Sequence, residues 1–97
     1  MMLLLGFSSL TLSYGVFAAD TFDVAEQYAK TCAVCHNSGV AGAPKKGDSK
    51  AWTQRLTKGN DTLLKNVTQG IGAMPAKGLC TDCNADQFMA LIEYMSK

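Results

Sequence analysis

The only histidine of this 97-residue chain, His36, stands directly after the second cysteine of a C-x-x-C pair, so residues 32–36 read Cys-Ala-Val-Cys-His. Two thiols three residues apart can each add to one vinyl group of a single porphyrin, and the adjacent imidazole then falls on its iron. The order of the residues is therefore mechanistic, and the pentapeptide reads as a site of covalent haem attachment through Cys32 and Cys35. With two C-x-x-C pairs in the chain, a histidine placed at random would follow one of them about one time in fifty. A structural disulfide with an incidental surface histidine is the plain alternative.

The first nineteen residues carry no charged side chain and run from Met1-Met2-Leu3-Leu4-Leu5 through small and apolar residues to Ala18-Ala19. That outline predicts a signal peptide over 1–18, with cleavage after Ala18 or Ala19, export to the periplasm, and a mature domain over 20–97. Only if Met1 to Ala19 stayed attached would the segment act as a membrane anchor. Fewer than eighty residues remain after cleavage, a size at which a side-chain core alone is marginal and a covalent staple or cofactor is usual. All charged residues lie in the mature part, so its formal net charge stays at +1. Neither a basic block nor an aromatic-interleaved stretch argues for nucleic-acid binding.

Four helical segments are predicted. Asp23 with Glu26 makes a capping-box start, and Val24, Ala25, Tyr28 and Ala29 form an apolar face that leads into Cys32, so the motif should close the first helix. A Gly- and Lys-rich loop follows over 37–47. Asp48 or Ser49 can cap a second helix holding Trp52, Arg55 and Leu56, and Asn60 or Asp61 a third holding Leu63, Leu64 and Val67. After a loop over 71–83, Asn84 with Gln87 opens the last helix, where Phe88, Leu91, Ile92 and Met95 recur at helical spacing. No alternating strand pattern competes, so the fold class is all-α.

A lone histidine excludes bis-histidine coordination of an iron. The second ligand must come from elsewhere, and a methionine is the obvious candidate. Met1 and Met2 leave with the signal peptide, and Met89 and Met95 lie on a helix where methionine is ordinary core filling. Met74 lies instead in a Gly-rich loop with Pro75 behind it, where an unbranched thioether has no propensity reason to be. Trp52 and Arg55 stand about one turn apart, so an indole N–H and a guanidinium could converge on one carboxylate. For each the plain alternative is a core tryptophan with any acceptor and a solvated arginine.

Cys-Ala-Val-Cys-His at 32–36, Gly-Val-Ala-Gly-Ala-Pro at 39–44, Ala-Trp at 51–52, Ala-Met-Pro-Ala-Lys-Gly at 73–78, Cys80-Thr-Asp-Cys83 and Ala-Leu-Ile-Glu-Tyr-Met at 90–95 together resemble the class I cytochromes c, and within them the cytochrome c5 family. The resemblance implies about four short helices wrapped around one haem c, with His36 and Met74 as the iron ligands, the Pro44 carbonyl as acceptor for the second imidazole nitrogen, and Trp52 and Arg55 toward the haem propionates. It implies a disulfide between Cys80 and Cys83, where Asn84 stands in the position a second haem motif would give to histidine. It also implies a one-electron carrier, not an enzyme, working through transient complexes between a quinol-oxidising complex and a terminal oxidase or peroxidase. A His/Met iron has both axial positions filled, which suits electron transfer and leaves no place for oxygen or peroxide. Lys45, Lys46 and Lys77 fall in loops expected to flank the haem and to steer partners. Two readings of other classes stand beside this one: a haem enzyme or sensor with a labile sixth ligand, and a structural zinc module of Cys32, Cys35, Cys80 and Cys83.

Overall fold

The computed structural model of the chain describes Gly6 and residues 22–97. The expected signal peptide over 1–18 lies, Gly6 apart, outside these residues. No helix among the described residues is long and apolar enough to cross a membrane.

Five α-helices follow one another: α1 (Val24–Lys30), α2 (Ala33–His36), α3 (Ser49–Leu56), α4 (Asn60–Gln69) and α5 (Ala85–Ser96). Two 3₁₀ turns, Val40–Gly42 and Ala76–Leu79, lie in the loops. No strand forms among the described residues, and a single β-bridge pairs Ile71 with Met74. The molecule is therefore an all-α member of its size class, with long loops between α2 and α3 and between α4 and α5.

Local chemistry sets the helix starts. The Asp23 carboxylate accepts from the Glu26 N–H at 3.1 Å, and the Asp48 carboxylate from the Ala51 N–H at 3.2 Å, each satisfying a donor that the first turn leaves free. Asn84 and Gln87 exchange side-chain to backbone hydrogen bonds at 2.9 Å in both directions, a full capping box for α5. Helix α4 departs from expectation. It begins at Asn60 behind Gly59, whose φ of +89° no other residue adopts readily, and neither Asn60 nor Asp61 caps it.

The cysteine motif does not close the first helix. Thr31 ends α1: its hydroxyl donates to the Gln27 carbonyl at 2.8 Å, and its backbone N–H is shared between the carbonyls of Gln27 and Tyr28. The Thr31 backbone leaves the helical region at φ −126° and ψ −72°, so Ala33–His36 forms a separate turn that re-aims the motif.

Helix α5 is the centre of the core, packed against α1, α3 and α4. Its Phe88, Leu91, Ile92 and Met95 are buried together with Tyr28, Trp52, Leu63, Val67 and Cys80, and Leu91 and Cys80 are each 1% exposed. The Tyr28 and Tyr94 rings meet at 5.3 Å and 59°, a tilted contact of the favoured kind. The Tyr28 hydroxyl is buried and has no hydrogen-bond partner among the described residues. Burial pushes its phenol above the usual tyrosine range, with Cys32 and Tyr94 adding to the shift. An unpaired buried hydroxyl costs about 1–3 kcal/mol, so Tyr28→Phe should leave unfolding stability unchanged or raise it by about 1 kcal/mol. Equilibrium denaturation of the two proteins measures this, and a loss above about 1 kcal/mol would mean that the hydroxyl does find a partner in solution.

Candidate functional site

The ends of α2 and α3, the 37–48 loop and the 70–79 loop enclose a cleft of about 550 Å³, within the span of about 300–1,000 Å³ usual for ligand and cofactor sites. Cys32, Cys35 and His36 line one wall, Pro44 and the Val40 turn lie beside them, Arg55 and Lys58 come from α3 and its end, and Met74 faces in from the second loop. A smaller cavity of about 120 Å³ lies toward the core and shares His36, Pro44, Arg55 and Met74 with the larger one.

Cys32 and Cys35 are half-buried free thiols. The Cys32 thiol is pushed up by burial, an effect that the neighbouring Thr31 hydroxyl only partly counters. Cys32 is thus held as the neutral thiol near pH 7.

His36 is buried, and its Nδ1 lies 2.8 Å from the Pro44 carbonyl oxygen. A carbonyl only accepts, so the contact requires the proton on Nδ1 and leaves the lone pair on Nε2. No hydrogen bond reaches Nε2 among the described residues. The imidazole also stacks on Trp52, with ring centroids 5.8 Å apart and 28° between planes.

Trp52 stands differently from the sequence-based expectation. Its Nε1–H donates to the Lys45 carbonyl at 2.9 Å, and it borders the smaller cavity rather than the cleft. The indole donor is therefore occupied by the chain itself, and the residue braces His36 and the 44–46 segment from behind instead of reaching a carboxylate. Arg55 Nη1 donates to the Ala51 carbonyl at 2.8 Å within its own helix. The two donors do not converge, although a guanidinium has further N–H groups and Arg55 does border the cleft.

Met74 is half-buried in a tight turn in which Ile71 and Met74 exchange backbone hydrogen bonds at 3.1 and 2.9 Å. The turn lies directly on the end of α4, because a Cβ at Gly70 (φ +86°) would come within 2.8 Å of the Met74 carbonyl oxygen and 2.9 Å of the Ala76 nitrogen. Gly70 reads from sequence only as a helix stop, since nothing local announces the loop that packs on it.

Cys80 and Cys83 are joined as a disulfide with their Cα atoms 5.5 Å apart. They lie with Asp82 as one group, to which Cys32 and Cys35 do not belong, so the four thiols are not assembled as a tetrathiolate site would need. Asn84 after Cys83 caps α5 and supplies no imidazole.

The cleft rim was not foreseen. Val40, Ile71 and Leu79, at 51%, 50% and 53% exposure, all border the cleft. Three large apolar side chains left half in water around one opening fit a flat apolar group that would cover them. Two free thiols, an imidazole with an unpaired nitrogen and a thioether in the same cleft are the donors that a covalently attached haem needs.

The comparisons with known proteins point to c-type cytochromes. The family model described as cytochrome c oxidase, cbb3-type, subunit III matches residues 19–95. Cytochrome c5 of Ectopseudomonas mendocina is 47% identical over 70 residues, covering 70% of this chain and 80% of that protein. A monohaem ferrocytochrome c from Shewanella putrefaciens is 51% identical with a TM-score of 0.71, covering 81% of this chain and 98% of that one. The cytochrome c in a crystallised electron transfer complex with nitrite reductase is 44% identical with a TM-score of 0.67, covering 74% and 88%. With the motif, the helical fold and these identities in agreement, the chain belongs to the class I c-type cytochromes and is similar to cytochrome c5.

Proposed function

We propose that this chain is an exported, periplasmic electron carrier that holds one haem c in the cleft, with residues 1–18 as a cleaved signal peptide and 20–97 as the working domain. Cys32 and Cys35 would hold the porphyrin through thioether bonds, and His36 Nε2 and the Met74 sulfur would be the ligands to its iron. Bound haem c supplies one-electron cycling between Fe(II) and Fe(III). The observation that carries this reading is the single cleft shared by two free thiols, a methionine and the one histidine, whose tautomer is set by the Pro44 carbonyl.

The chain's own residues then do three things. The Pro44 carbonyl fixes the imidazole tautomer and raises the basicity of Nε2. Met74 offers a neutral, polarisable sulfur, which favours the reduced state relative to a second imidazole and fills the position that an external ligand would need. Val40, Ile71 and Leu79 keep water from the edge of the site. Arg55 remains a candidate for charge balance near a propionate, while Trp52 acts by bracing His36. The Cys80–Cys83 disulfide ties down the end of the loop that carries Met74.

Electron transfer needs only brief contact with another cofactor, so partner interfaces should be small, below about 1,200 Å². The complex of a related cytochrome c with nitrite reductase supports redox proteins as the partner class. A quinol-oxidising complex on one side and a terminal oxidase or peroxidase on the other would suit a carrier of this kind.

Covalent attachment predicts that haem stays with the polypeptide through acid-acetone extraction and denaturing electrophoresis, and that replacing both Cys32 and Cys35 by Ala leaves little folded holoprotein. Extractable haem in the wild type would contradict it. For the ligands, Met74→Ala should abolish the weak charge-transfer band of ferric iron bound by sulfur, lower the reduction potential and admit azide or carbon monoxide. Met89→Ala and Met95→Ala should keep the band, and the buried Met95 should lose about 2–5 kcal/mol of packing. An unchanged band in Met74→Ala ends the assignment. Lys45 is exposed and its ammonium has no hydrogen bond or ion pair among the described residues, whereas Lys46 lies 4.6 Å over the Tyr94 ring and Lys77 donates to the Thr81 carbonyl at 3.2 Å. Changing Lys45 and Lys46 to Glu should slow exchange with a physiological partner, and the slowing should fade as salt shortens the Debye length below about 8–10 Å. Stopped-flow rates indifferent to mutation and salt would leave docking to the apolar rim.

A further inference from the structure

Three residues after Met74, the chain enters a run of three consecutive left-handed residues: Lys77, Gly78 and Leu79, with φ of 65°, 51° and 70°. Backbone strain does not explain why the middle one is glycine. Its two neighbours are L-residues at higher φ, and Ala41 elsewhere in the chain sits at φ 53°. What sets position 78 apart is contact: a Cβ there would come within 2.7 Å of the Met74 Cε and meet no other atom within 4 Å. Gly70 contrasts with it, since its missing Cβ faces backbone atoms of the same loop.

A thioether sulfur carries two carbons and two lone pairs, and only one lone pair can face a metal at a time. Rotation about the Cγ–Sδ bond moves the methyl and exchanges the lone pair that faces the cleft. Methionine side chains rotate at little cost, so a group that fixes the methyl also fixes the sulfur. We propose that Gly78 is a positioning residue for Met74: the space left by its missing side chain holds the Met74 methyl and so decides which lone pair of Sδ is presented to the cleft. This rests on the reading of Met74 as an iron ligand and adds to it the element that orients the ligand. An alanine at 78 would displace the flexible methyl rather than the backbone, so the disturbance would fall on the ligand.

The test compares Gly78→Ala with Gly59→Ala in the holoprotein. Gly59 has φ +89° with nothing within 4 Å of its Cβ position, so alanine there adds backbone strain without touching Met74. Gly59→Ala should lower Tm and leave the ferric charge-transfer band and the Met74 methyl resonance of the reduced protein unchanged. Gly78→Ala should keep covalent haem but shift or weaken the band, move the methyl resonance, and bind carbon monoxide several-fold more readily. A wild-type band and methyl resonance in Gly78→Ala overturns the proposal, as does an equal spectral change in Gly59→Ala. If Gly78→Ala fails to accumulate, the double variant with Met74→Ala should recover to the level of Met74→Ala alone, because the displaced methyl is gone. A double variant no better than Gly78→Ala also overturns it. The band in Met74→Ala alone separates the two readings: if it persists, Met74 is not the ligand, whatever Gly78 does.

Discussion

The hydrogen bond from His36 Nδ1 to the Pro44 carbonyl is the contact on which the cleft's chemistry depends. It sets the proton on one nitrogen and frees the other, and it does so with an acceptor that has no competing N–H of its own. The surrounding loop is held for that purpose from several directions. The Lys46 N–H donates to the His36 carbonyl at 2.8 Å, the Trp52 indole donates to the Lys45 carbonyl at 2.9 Å, and the Gly47 N–H donates to the Met95 carbonyl at 2.8 Å. The 37–48 loop thus hangs from α2, α3 and the end of α5 together. A carbonyl so anchored cannot drift from the imidazole without disturbing the core, which is how a site on a loop acquires the precision of one on a helix.

Much of this was readable from residue order, and the limits follow from locality. Asp23, Asp48 and the Asn84/Gln87 pair announced three helix starts because a cap acts within one turn. The periodicity of Phe88, Leu91, Ile92 and Met95 announced the central helix for the same reason. The cysteine pair with its histidine is also local, since the chemistry of attachment requires adjacency. The break at Thr31 was hidden because threonine tolerates a helix interior, as Thr53 does in α3 with the same bond back onto its own helix. The acceptor of the Trp52 indole was hidden because Lys45 lies seven residues away in a loop whose path no local pattern describes. Gly59 and Gly70 read as stops, but the left-handed run at Lys77, Gly78 and Leu79 has no signature beyond its one glycine.

That left-handed run needs a reason to persist, since each non-glycine residue in this region costs roughly 1–3 kcal/mol. The ring closed by Cys80 and Cys83 is too short to repay it fully. By loop-length scaling such a small ring contributes about 2 kcal/mol at most, through the unfolded state. Further restraint comes from both sides. Gly78 and Cys80 donate backbone hydrogen bonds to the carbonyls of Pro75 and Lys77 at 3.0 and 2.9 Å, the Lys77 ammonium bonds the Thr81 carbonyl, and the Gln27 amide of α1 lies 3.2 Å from the Cys80 sulfur. Packing on Gly70 then fixes the other end of the loop against α4. The strain is distributed around Met74, the one residue of the segment whose side chain faces the cleft as a donor.

The cleft and the size of the domain bear on each other. A folded unit the size of residues 22–97 buries too small a share of its surface for a deep core, and here the buried side chains cluster around α5. Val40, Ile71 and Leu79 lie outside that core, each about half exposed at the cleft rim. At about 25 cal/mol per Å² of apolar surface removed from water, covering these side chains with a large flat apolar group would add stability where the protein core supplies none. The same covering would join the two loops across the cleft, each of which the helices already hold from behind. Attachment of a haem in the cleft would then add to the fold as well as fill the site, and a change that loosens either loop should appear in both the properties of the iron and the stability of the chain.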